Sequence, residues 1–66
     1  MKLLIIKSGQ DYIRFKDHNY LLVRLDKASV FPFDQMDVVQ KHESRLKEQG
    51  FDNVCIRKLI LTEEDI

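Results

Sequence analysis

The chain has 66 residues, enough for one domain that buries only about 60% of the surface its unfolded form exposes. Lys and Arg number 11 and Asp and Glu 11, so the large basic excess with which non-specific nucleic-acid binders neutralise phosphate is missing. Cys55 is the only cysteine, which rules out a disulfide within the chain and fits a reducing compartment.

The first predicted strand, Lys2–Ser8, is apolar on both sides over Leu3–Ile6, as suits a central strand with both faces covered. Its apolar run is far too short for a signal peptide or a membrane span, so the cytoplasm is the expected location. Ser8-Gly9-Gln10-Asp11 reads as a turn, because Gly accepts the positive φ of tight hairpins. Asp11–Lys16 alternates, with Tyr12, Arg14 and Lys16 on one side and Ile13 and Phe15 on the other. Asp17-His18-Asn19 is a second polar turn. Tyr20–Leu25 alternates again, setting Leu21, Val23 and Leu25 against Tyr20, Leu22 and Arg24. Consecutive strands with such short turns make an antiparallel meander.

Asp26–Phe33 carries the chain off the sheet, with Ala28, Val30 and Phe31 plugging the space beneath and Pro32 ending any strand there. The helix is predicted over Asp34–Gln49, with Asp34 as N-cap and Asp37 favourably placed at the positive end of the dipole. Val38, Val39, His42 and Leu46 form its narrow apolar stripe, and Glu43 and Lys47 make an i,i+4 pair. Gly50 sits where a left-handed C-cap belongs, with Phe51 packing back on Leu46. The last strand, Asn53–Thr62, carries Val54, Ile56, Lys58 and Ile60 on one face and Cys55, Arg57, Leu59 and Leu61 on the other. Either a bulge near Arg57-Lys58 shifts its register or both faces are partly buried, and two-sided burial is the preferred reading. Residues 63–66, which include Glu63-Glu64-Asp65, are expected to fray as an acidic tail. The fold class is therefore α+β: a four-stranded, mainly antiparallel sheet of βββαβ topology, order 3-2-1-4, with one helix on one face. A right-handed crossover would set the last strand beside the first and parallel to it.

One helix covers one face. The opposite face is expected to carry Leu4, Ile6, Tyr12, Arg14, Tyr20, Leu22, Arg24 and Arg57. Exposed apolar residues framed by Tyr and Arg mark interfaces, so the expected role is contact with another protein or self-association as a homo-oligomer, a dimer in the simplest case. The edge strand Tyr20–Leu25 could pair with a second chain instead. The alternative is a nucleic-acid module in which Tyr12, Arg14, Tyr20, Arg24 and Arg57 stack bases and hold phosphates, although no RNP-like aromatic-glycine pattern accompanies them. Neither His18 nor His42 has a second ligand at metal-site spacing, and Cys55 reads as a small buried hydrophobe. Gly9 and Gly50 are isolated, so no phosphate loop can be drawn, and Asp34, Asp37, Glu43 and Glu48 are cap and helix-surface residues. No catalytic group, metal or cofactor is expected.

The run Leu25-Asp26-Lys27-Ala28-Ser29-Val30-Phe31 follows a short hairpin and precedes a helix. It resembles the Leu-x-x-Ala-x-x-Phe link of small uncharacterised bacterial and phage-associated proteins, where it joins an N-terminal meander to a helix and a last strand. The resemblance rests on the element order and on Leu25, Ala28 and Phe31. It implies a compact accessory protein and assigns no binding or catalytic residue.

Overall fold

In a computed structural model, residues 1–65 are described. The elements are β1 (Lys2–Ser8), β2 (Asp11–Lys16), β3 (Asn19–Val23), β4 (Phe31–Pro32), α1 (Met36–Glu48) and β5 (Val54–Ile60), with single 3-10 turns at Leu25–Lys27 and Phe33–Gln35. The architecture is α+β. Central β1 pairs with β2 at Lys7 and Ser8 and with β5 along its whole length. The long strands thus run in the order β3-β2-β1-β5, the order that the sequence implies.

Below Lys7, β2 swings away from β1, and the chain after the first 3-10 turn fills the gap. The Ser29 N–H donates to the Ile13 carbonyl at 3.0 Å, and the Phe15 N–H donates to Ser29 Oγ at 2.8 Å. Phe31 and Pro32 then pair with Leu4 and Leu3. Backbone groups left bare by the splayed strands find partners there, as buried peptide groups must. Of the expected plug residues, Ala28 and Phe31 are half-buried, whereas Val30 is exposed.

β4 also overturns the expected parallel pairing of the first and last strands. It runs antiparallel to β1 and delivers the chain to the foot of the sheet. Helix α1 returns it to the top, where Ser8 Oγ donates to the Asp52 carbonyl at 2.6 Å. β5 must therefore descend, antiparallel to β1, from Ser8↔Val54 to Lys2↔Ile60. That ladder is unbroken. There is no bulge at Arg57-Lys58, and Val54, Cys55, Ile56 and Leu59 are all half-buried, so β5 is covered in part on both faces.

The helix begins later than its sequence suggests. Asp34 lies within the 3-10 turn, and Gln35 is the N-cap without a side-chain cap bond. Its end is as predicted. Gly50 has φ +90°, its N–H donates to the Lys47 carbonyl, and the Phe51 N–H donates to the Leu46 carbonyl at 3.1 Å, a Schellman closure. Glu43 and Lys47 pair at 3.9 Å, an exposed contact worth at most a few tenths of a kcal/mol. Val39, His42 and Leu46 are the buried helix residues, while Val38 is exposed.

Turn length decides which residues they meet. Ser8 lies opposite Asp11 and Lys16 opposite Asn19, so each hairpin turns through the two residues between. Gly9 has φ +60°, as the first position of a type II′ turn requires. Asp17 and His18 have φ +52° and +62°, the type I′ signature. His18 has no glycine's freedom there, and a left-handed non-glycine residue costs roughly 1–2 kcal/mol. His18→Gly is therefore expected to stabilise the fold by about 1 kcal/mol, read as a higher urea midpoint with unchanged slope. A lower midpoint would show that the imidazole stabilises the turn by more than the strain it bears, through its edge contact with Phe15 at 6.4 Å.

Candidate functional site: the open sheet face

Side chains directly opposite each other in an antiparallel pair share a face. The register therefore sorts the strands without ambiguity. Leu4, Ile6, Ile13, Phe15, Tyr20, Leu22, Val54 and Ile56 lie on the helix-covered side. Leu3, Ile5, Lys7, Tyr12, Arg14, Lys16, Leu21, Val23, Cys55, Arg57 and Leu59 lie on the other.

This splits the residues expected to form one contact face. Leu4 and Ile6 are 1% and 2% exposed and form the core with Ile13, Val39 and Leu46. Tyr20 faces the helix too, with its hydroxyl 2.7 Å from His42 Nδ1. Leu22 is on the same side, near the helix C-terminus, beside Gly50 and Phe51. Arg24 lies past the end of β3, at a surface hollow with Tyr12, Asp11 and Asp26. Only Tyr12, Arg14 and Arg57 stay on the open face. The cause is a single residue of turn. Reading Asp17-His18-Asn19 as a three-residue turn would place Tyr20 opposite Lys16, and such a slip moves every side chain of the strand to the other face. The Ser8-Gly9-Gln10-Asp11 turn sets Lys7, and not Leu4 or Ile6, on the face of Tyr12.

The helix side holds an aromatic cluster around His42. Its ring lies 4.8 Å from Phe15, 5.5 Å from Phe31 and 5.7 Å from Tyr20, centre to centre. Burial among these rings, and secondarily the charge of Arg45, holds its pKa below the ordinary value of 6.5. Neutral at pH 7, His42 accepts a hydrogen bond from the Tyr20 hydroxyl at Nδ1 when its own proton sits on Nε2. Its surroundings are those of a core histidine.

The open face has another character. Its strand positions carry Lys7, Arg14, Lys16 and Arg57 and no Asp or Glu, Asp11 of β2 falling with Ser8 on the helix side. Lys7 Nζ stands 5.5 Å from the centre of the Tyr12 ring. Arg57 lies directly opposite Ile5, where its aliphatic stem can cover that residue while the head stays in water. Among the described residues the one ion pair is Glu43–Lys47 on the helix, so no carboxylate lies within 4.0 Å of these strand cations. Leu25, from the 3-10 turn, joins Ile5, Leu59, Tyr12, Lys7, Arg57 and Lys58 around a hollow of about 150 Å³. Ile5 is only 4% exposed here, although no helix covers it.

Sequence reasoning missed Lys7, Leu21, Leu25 and Leu59 as members of this face. The turn at Gly9-Gln10, which the sequence does show, already sets Lys7 on the face of Tyr12, and a two-residue turn at Asp17-His18 is the signal that places Leu21 there. Nothing in the pattern foretold Leu25, which reaches the face through the 3-10 turn. Cys55 is half-buried on the open side. Among the described residues no group of His, Cys, Asp and Glu converges as a metal site, and no helix is long and apolar enough to cross a membrane. The chain matches no family model, no curated protein and no solved structure. Function is therefore argued from the geometry.

Proposed function

We propose that this protein works by contact, docking another protein on its open sheet face. One observation carries the reading. Lys7, Arg14, Lys16 and Arg57 share strand faces with Leu3, Val23, Cys55 and Leu59, and among the described residues no carboxylate lies within 4.0 Å of them. A partly apolar surface with unused cations is suited to a partner. Self-association through this same face is disfavoured, because a two-fold interface sets identical patches together and the cations would repel. Nucleic acid is the weaker alternative, since Tyr20 faces the helix and leaves Tyr12 as the one aromatic ring on these strand faces. An accessory protein of bacterial or phage origin, working in the cytoplasm, fits this role.

The test is site-specific photo-crosslinking in cells, with the reactive side chain at Leu21 on the open face or at Ser44 on the outer surface of the helix. Discrete adducts should form from Leu21 and not from Ser44. The Arg14→Glu/Arg57→Glu double variant should remove them while leaving the circular dichroism unchanged. Equal adducts from both positions, or adducts that survive the charge reversal, would show the face to be wrong.

A further inference from the structure

Resting on that reading, the geometry points to a particular ligand chemistry: we infer that the open face takes an acidic peptide segment whose single apolar side chain seats in the hollow beside Leu25. The hollow is an open depression of about 150 Å³ with mixed apolar and polar walls, and a space of about that volume takes one ring-sized group. It is therefore sized for one side chain. Its aliphatic lining, Ile5, Leu25 and Leu59, matches an apolar anchor, while Lys7 and Arg57 beside it match carboxylates on either side of that anchor. Arg14 and Lys16 extend the same charge along β2, on the side that Tyr12 shares. The acidic groups Asp11 and Asp26 line the neighbouring hollow together with Arg24. Stacked bases would need a row of exposed rings, and aliphatic residues stand there instead.

Amide shifts of the isotope-labelled protein, titrated with defined probes, test this. The probes are an acidic peptide of Glu and Asp around one central Leu, the same peptide with Ala at the centre, and oligo-dT. The Leu peptide should shift Ile5, Tyr12, Leu25, Arg57 and Leu59 and bind about tenfold more tightly than the Ala peptide, as a buried aliphatic anchor requires. Its affinity should fall as salt rises. Leu25→Asp, at a position already 46% exposed, sets a carboxylate beside Lys7 and Arg57 and should abolish binding without unfolding the domain. Equal binding of the Leu and Ala peptides on this face would overturn the anchored-peptide proposal while leaving a contact role for the face intact. Shifts confined to the helix or to the β3 edge would overturn both. Tighter binding of oligo-dT at these residues would replace the peptide with nucleic acid. A concentration-dependent rise in mass of the protein alone, accompanied by shifts of these amides, would replace it with a second copy.

Discussion

Leu4→Ala is expected to cost about 2–5 kcal/mol of stability, enough to unfold much of a domain whose single small core supplies roughly 3–5 kcal/mol. Leu4 is 1% exposed and packs with Ile6, Ile13, Val39 and Leu46, so truncation removes buried methyl groups and leaves a void that the sheet cannot close. Leu22→Ala is the paired control. Leu22 is 55% exposed, and a surface truncation of this kind moves stability by only about 0.5 kcal/mol. Urea titrations of both variants separate the two environments. A pair of leucines on one solvent-facing surface would respond alike, and equal midpoints would return Leu4 to the open face.

Acid is the second large perturbation. His42 is held below its ordinary value of 6.5, first by burial and then by Arg45. The unfolded chain thus takes up a proton at a higher pH than the folded one, and stability rises with pH across that window. The contribution is complete above pH 6.5 and is lost as the pH falls from there through the folded value. A single proton limits the slope to about 1.4 kcal/mol per pH unit. The hydrogen bond to Tyr20 can survive protonation by reversing, with Nδ1–H donating to the phenol oxygen, so the loss arises from placing charge among Phe15, Phe31 and Tyr20. Thermal melts between pH 7.5 and 5 should show a falling midpoint that is flattened in His42→Leu. An unchanged pH dependence in that variant would move the effect to the carboxylates.

Much of this architecture is legible in the chain. Alternation locates the long strands, the apolar run of β1 marks the central one, and Gly50 with Phe51 closes the helix as their positions predict. What escapes is parity and reach. Alternation alone cannot say which stripe of one strand matches which stripe of the next, because one residue in a turn reverses the match. Asp17-His18 lacks the Gly that usually advertises a type I′ turn, so the residue pattern does not reveal the short loop. β4 is only 2 residues long, below any periodic signal, yet its reversal sets the direction of β5. The contact face suffered most, because membership in it depends on parity at every turn. Tyr12, Arg14 and Arg57 keep their places on it, while Leu4 and Ile6 exchange theirs with Leu3 and Ile5.

The pairing of β1 with β5 also bears on how the chain is made. β1 is synthesised well before its longest partner, β5: the Leu61 N–H donates to the Met1 carbonyl at 2.9 Å, across 60 positions. Such distant pairings close slowly, because the loop between them must be ordered first. Until Val54–Ile60 leaves the ribosome, β1 offers a bare backbone edge with Leu3–Ile6 along it, a template for pairing with a neighbouring chain. Any product truncated ahead of Val54 keeps that edge permanently. Such fragments should aggregate or be degraded rather than accumulate.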